Sequence, residues 1–436
     1  MSSADFSQLV LQLAAMLACA VLSGSLFRRL GQPPVLGEMI GGIVLGPTVF
    51  GAISPGAHAW LFHGPATVTS VRDASVKLGM LFFMFQAGMQ VSVGKVRRLG
   101  PQAAAIGLGG TLLPMATGIA LVQLLPASFW GRGAEVPLAP FALFIGMNLA
   151  NSANSVIARI LMDLNLLRAD VGALIMTATV MDDFVNWTVF AIVLNQIGAA
   201  REGSAVASLS GNIATVVVFF VAVLAAGRWL ARRGGPWIEK RLAGPAAVGA
   251  VATLAMLLAG GLAEWVGAHA FLGAFLMGAA FGNGGNEVNR GQETMLQSVA
   301  SFFAPLYFVS MGLNADFIRD FQPSLAGTLL VAACGSKFVG VLAGAWVSGL
   351  GLGRRSVAIG FGLNARGATG LVLAGVGLEY GLVGRPLFVA LVLVSVITSV
   401  IAVPALQRLA VPHPAPASPA RDGSSEPFHP ARAIDR

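Results

Sequence analysis

Apolar residues come along this chain in runs of about twenty, parted by short segments rich in arginine, glycine and proline. A helix of that length crosses the roughly 30 Å hydrocarbon core of a bilayer. The runs predict thirteen membrane helices, over residues 9–27, 35–53, 74–92, 101–124, 138–162, 171–197, 211–231, 245–262, 266–283, 298–315, 323–349, 356–379 and 386–408. The tightest division falls at Glu264 and Trp265, where a very short turn separates two of them. The fold class is therefore all-α, a polytopic membrane protein with one membrane domain over 1–410. Residues 411–436 are Pro- and Ala-rich and aperiodic, and are expected to form a disordered cytoplasmic tail.

Composition agrees. Of 436 residues, 56% are hydrophobic and only 11% charged, against roughly 25% charged in soluble domains. The 55 glycines and 22 prolines suit membrane helices, where small residues let backbones approach closely. Cys19 and Cys334 both lie in apolar runs and read as packing residues. The net charge of +8 does not point to nucleic acid, because the basic residues are spread through short loops. Nineteen of them fall in alternate loops and the tail on one side, and six on the other. The positive-inside rule then puts the N-terminus outside and the C-terminus in the cytoplasm, which an odd number of spans requires. No cleavable leader is expected, so the first helix directs insertion. Arginine far outnumbers lysine, which suggests a GC-rich bacterial source and hence the bacterial inner membrane.

A few polar residues sit where the runs forbid them. Asp182 and Asp183 are adjacent in the middle of LIMTATVMDDFVNWTVFAIVL. A carboxylate at that depth costs at least ~2.5 kcal/mol on insertion scales, and such groups are usually functional. Two side by side repel, so they are expected to share a proton over some pH range. Lys337 is central in 323–349 and supplies a partner for one of the two aspartates. The other carboxylate is left to face a cavity and bind a cation. Asn151, Ser152, Asn154 and Ser155 interrupt 138–162, and Asn364, Arg366 and Thr369 interrupt 356–379. Unwound carbonyls and half-helix ends at such breaks can coordinate a cation, and Arg366 would offset the opposed dipoles. The breaks occupy corresponding places in 101–197 and 323–408, which makes these two segments candidates for an inverted repeat. Asn186-Trp187-Thr188 matches a glycosylation pattern, but lies within a span and carries no such meaning.

Taken in order, PPVLGEMIGGIVLGPTVFG, LFFMFQAGMQV, SVIARILMDLNLLRADVGALIMTATVMDD, FLGAFLMGAAF, PLYFVSMGLNADF, SKFVGVLAGAW and IGFGLNARGATGLVLA resemble the monovalent cation:proton antiporters, the sodium/hydrogen exchanger family. The likeness is to its bacterial potassium-efflux-like branch. No counterpart of that branch's nucleotide-binding domain is present in the sequence, so regulation of that type is not expected. The resemblance implies a thirteen-helix sodium/proton antiporter fold with two crossed broken helices. Core helices would lie at about 101–197 and 323–408, and scaffold or dimerisation helices in the remainder. It implies that Asp183 is the ion-binding carboxylate, that Lys337 pairs with Asp182, and that Asn364, Arg366 and Gly367 match the second crossed helix. It also implies a homodimer. Ser152, Ala153, Asn154 and Ser155 depart from the family's first break, which usually carries proline. Ala365 stands where the second break usually has proline, and Ala368 where it usually has an acid.

The expected function is secondary antiport of protons against Na⁺, with K⁺ or Li⁺ as alternatives, and the resemblance of the Asp-Asp pair to that of the electrogenic exchangers implies electrogenic transport. No cofactor is expected beyond the transported ions. The altered breaks keep open a proton-coupled exporter of another substrate, or a non-transporting regulatory subunit. An intramembrane aspartyl protease is a poor fit, since it needs its aspartates on different helices.

Overall fold

A computed structural model describes residues 2–62, 64–89, 93–131, 136–153, 156–157, 160–161, 164, 166, 169–201, 209–234, 245–266, 270–282, 302–313 and 315–410. All regular structure among them is helical. The principal helices are α1 (Ser3–Arg29), α2 (Pro34–Leu45), α3 (Ala66–Met89), α4 (Val93–Leu124), α5 (Leu138–Ala150), α6 (Asp170–Arg201) and α7 (Leu209–Trp229). They continue as α8 (Pro245–Trp265), α9 (Ala270–Phe281), α10 (Phe302–Leu313), α11 (Pro323–Val347), α12 (Arg354–Leu363), α13 (Gly367–Glu379) and α14 (Arg385–Ala410). The predicted tail lies outside the described residues.

The solvent of this fold is lipid. Leu22 on α1 and Val331 on α11 are each 73% exposed in mid-helix. Side chains of this kind around the outside are stable only against hydrocarbon, while polar groups turn inward. Among the described residues, six helical segments are long and apolar enough to cross a membrane by themselves.

Helix ends follow local chemistry. At the start of α1, the Ser2 hydroxyl accepts from the Asp5 amide, and Asp5 accepts from the Ser2 amide. The predicted span 35–53 is divided, because α2 ends at Leu45 ahead of Gly46-Pro47 and a short helix resumes at Phe50. Proline disfavours helix at the residue before it and has no N–H to donate. Helix α3 begins at Ala66, ahead of the apolar run at 74, because its polar first turns are exposed and carry no hydrophobic signal.

Two helix triplets form the frame for the polar residues. One is α4, then α5 with its continuation, then α6; the other is α11, then α12 and α13, then α14. Each places a broken element between two long helices. Helices α4 and α11 pack closely, with Gly109 against Gly340. A Cβ on Gly344 would stand 2.7 Å from the Ala105 carbonyl carbon, so glycine is required for this approach. Helix α6 packs on α4, α5 and α12, and α14 on both α12 and α13. The remaining helices pack mainly among themselves, with α3 on α9 and α8 on α9. The seam between the two sets includes Trp187 in a tilted ring contact with Phe275 (centroids 6.0 Å, 31°) and an ion pair between Lys77 and Glu379.

Candidate functional site

Helix α5 stops at Ala150 and α12 at Leu363, and each is followed by three residues without helical structure: 151–153 and 364–366. Asparagine, serine and arginine at these points offer the backbone alternative hydrogen bonds. The two breaks meet. The Ala153 amide donates to the Ala365 carbonyl at 2.8 Å, and the Ser152 hydroxyl lies 2.7 Å from the Leu363 carbonyl. Helix α13 starts at Gly367 with φ of 31°, a left-handed value that favours glycine. The Gly367 amide donates to Ser399 Oγ of α14 at 3.0 Å, which satisfies one open N–H of the new helix start.

Asp182 and Asp183 lie in α6 at 1% and 3% exposure. Lys337 of α11 is fully buried, forms an ion pair with Asp182, and also donates to the carbonyl of Ala150. The hydroxyls of Thr111 and Ser152 are within donating reach of the same carboxylate. Each hydroxyl also has a backbone carbonyl in reach, Gly107 for Thr111 and Leu363 for Ser152. A hydroxyl has one proton to give, so Lys337 is the fixed partner of Asp182. Gly110 of α4 leaves room for the lysine stem, its missing Cβ 3.8 Å from Lys337 Cε. Asp183 projects about 100° further round the helix. It accepts no hydrogen bond among the described residues.

Arg366 is 2% exposed and donates through Nη2 to the carbonyls of Leu149 and Ala333, each at 2.7 Å. Both buried cations therefore sit on carbonyls in the last turn of α5, the negative end of a half-helix. Two carboxylates and two cations are thus held together without exposure to bulk water. Asn364 caps α12 at 7% exposure, with its Oδ1 unpartnered. Asn154 and Ser155 lie outside the described residues.

The structure brings Asp182, Asp183, Lys337, Ser152, Asn364, Arg366 and Gly367 to one crossing. Sequence reasoning did not single out Thr111 or Ser399. A lone hydroxyl in an apolar run is inexpensive, so neither residue announces itself. The Ala153–Ala365 contact is made by backbone and has no side-chain signature.

Chemically, the site has one carboxylate held by an ammonium with two hydroxyls in reach, and another that has no donor among the described residues. A buried carboxylate of this kind is stabilised by any small positive charge placed beside it.

Known proteins resemble this chain along most of its length. Cation/H(+) antiporter 20 from Arabidopsis thaliana is 30% identical over 93% of this chain, and the chain spans about half (49%) of that relative's length. Na(+)/H(+) antiporter NhaS4 from Synechocystis is 29% identical over 95% of this chain and is covered completely (100%). These relatives are named as transporters, not enzymes. The sodium proton antiporter MjNhaP1 from Methanocaldococcus jannaschii shares the fold, with a TM-score of 0.69 over 93% of this chain and 97% of that one, at 11% identity. The transmembrane sodium/hydrogen exchanger family matches residues 15–411, and the chain belongs to that family of multi-pass cation/proton antiporters.

Proposed function

We propose that the protein exchanges protons for a monovalent cation, Na⁺ first among the candidates, at Asp183. The carrying observation is that Asp183 is buried, unpartnered by any described donor, and adjacent to an aspartate that already holds its lysine. A proton and a cation each neutralise the same carboxylate, so one displaces the other. Without either, the bare charge resists passage across the hydrocarbon layer, and this couples the two fluxes. Lys337 and the hydroxyls of Thr111 and Ser152 hold Asp182 in place, and Arg366 holds the ends of the crossed half-helices. The helices within 101–197 and 323–408 rock as the moving core against the remainder, exposing Asp183 to each side in turn.

The reading includes two protons moved per cation, hence electrogenic exchange, and a homodimer in the bacterial inner membrane. The N-terminus is outside and the C-terminus cytoplasmic. No cofactor takes part; the ions are substrates.

The test is proton flux in proteoliposomes loaded with a pH dye, with Na⁺, K⁺, Li⁺ and an inert organic cation added in turn. A cation-specific response, lost in Asp183→Asn, is expected. Wild-type flux in that variant would sink the scheme. Silence of the well-folded wild type towards every ion would favour export of another substrate or a regulatory role, which Ala365 and Ala368 at the second break keep in view.

A further inference from the structure

Asn186 lies in α6 at 2% exposure, and neither its Oδ1 nor its Nδ2 has a hydrogen-bond partner. Among the described residues it is the one amide side chain with both buried polar atoms unpartnered. An amide removed from water without partners weakens a fold. Leucine, of similar size, would serve a packing role better.

Its position relates it to the aspartates. At about 100° per residue, Asp183 is about 100° round the helix from Asp182, and Asn186 about 40°, so Asn186 falls between the two carboxylates in projection. It is about 4.5 Å further along the axis than Asp183. Helical Cα–Cβ bonds tilt towards the N-terminus, so this amide leans back over the turn that carries both aspartates. It nevertheless bonds to neither. The next residue, Trp187, meets the ring of Phe275 across the seam between the helix sets, so Asn186 sits beside the boundary where the two sets meet.

We infer that Asn186 is a cation-binding residue, presenting its amide oxygen to the transported monovalent ion beside Asp183. The inference rests on the antiport reading above. One charged and one neutral oxygen from the same helix face form part of a coordination shell, and Nδ2 can donate to a neighbouring carboxylate or carbonyl oxygen that also faces the ion. An amide oxygen is a good ligand for a hard cation and a very weak base. Asn186 therefore acts on the cation and not on the proton, and it sets ion preference without carrying charge.

The experiment compares wild type, Asn186→Leu and Asn186→Ala in proteoliposomes. Proton flux is measured against concentration of whichever of Na⁺, K⁺ or Li⁺ drives the wild type. Thermal midpoints and equilibrium binding of the same ion are measured in detergent. Asn186→Leu should raise the half-saturating cation concentration at least tenfold, with maximal flux within threefold of wild type and a thermal midpoint equal or higher. If leucine prevents folding, alanine must show the same rise. Wild-type saturation in a folded variant overturns the assignment of Asn186 and leaves antiport standing. A wild type that neither binds any of these ions nor moves protons overturns the antiport reading, and this inference with it.

Discussion

The Lys337–Asp182 pair can be tested as a unit by a double-variant cycle. Lys337 is fully buried and its ammonium has two acceptors, the Asp182 carboxylate and the Ala150 carbonyl. Lys337→Met keeps most of the stem volume alongside Gly110, but leaves Asp182 with only two shared hydroxyls. Removing one member of a buried pair costs about 3–5 kcal/mol, because the other charge is left uncompensated. Asp182→Asn strands the ammonium on one carbonyl and should cost a similar amount. Asp182→Asn combined with Lys337→Met leaves no charge stranded, and the asparagine can still accept from Thr111 and Ser152. Its stability should return to within about 1–2 kcal/mol of wild type, or exceed it, as replaced buried pairs often do. With an unfolding entropy near 2.1 cal/mol/K per residue, 1 kcal/mol moves the midpoint of a chain this long by roughly 1 °C. Each single variant should then melt roughly 3–5 °C below wild type. The assay is loss of monodisperse protein on heating in detergent. A double variant that melts no higher than the weaker single variant would show that the two charges do not stabilise one another.

Three further outcomes follow from the packing and the seam. Gly344→Leu should lower the yield of folded protein sharply, since its Cβ alone meets the Ala105–Ile106 backbone, with overpacking at about 1–3 kcal/mol or more; a wild-type midpoint would contradict the close approach of α4 and α11. Arg366→Lys should lose about 1.5–3 kcal/mol of stability, the worth of one charged hydrogen bond, and melt roughly 1.5–3 °C below wild type, because an ammonium cannot reproduce the guanidinium fork to Leu149 and Ala333; the same heating assay decides it. With Cys19 and Cys334 replaced by serine, Lys77→Cys with Glu379→Cys should be joined by a reducible bis-thiol crosslinker long enough to span a Lys–Glu contact, and flux should stop and recover on reduction; undiminished flux in fully crosslinked protein would show that the two helices do not move apart during transport.

The charged part of the site was legible because hydrocarbon leaves no neutral explanation for Asp182, Asp183, Lys337 and Arg366 in mid-span. The breaks were legible for a related reason, since clustered asparagine and serine are poor helix interiors. Which aspartate takes the lysine was not legible from the residues alone. Adjacent positions differ by about 100° in direction, and only the packing of α4, α6 and α11 fixes the rotation. Thr111 was missed because a hydroxyl can satisfy itself on its own helix, here at the Gly107 carbonyl, and so resembles an ordinary membrane threonine. The edges of α3 were misjudged for the opposite reason. An apolar run marks where lipid begins, whereas a helix continues until its backbone has a reason to stop.

The amide of Ala153 and the carbonyl of Ala365 act as a rivet through the middle of the molecule. Segments more than two hundred residues apart in sequence are pinned where both lack regular structure, and Ser152 and Arg366 add fastenings on either side. A riveted joint cannot shear at the rivet. Any sliding that carries Asp183 from one face of the membrane to the other must take both crossed elements along as one piece, and the slip plane must lie elsewhere. The Trp187–Phe275 ring contact and the Lys77–Glu379 pair mark such a plane, built from contacts that are individually easy to break. The energetic hardness of the crossing and the softness of the seam are two halves of one mechanical arrangement: under the proposed antiport, a stiff cartridge for the ion, set in a bearing.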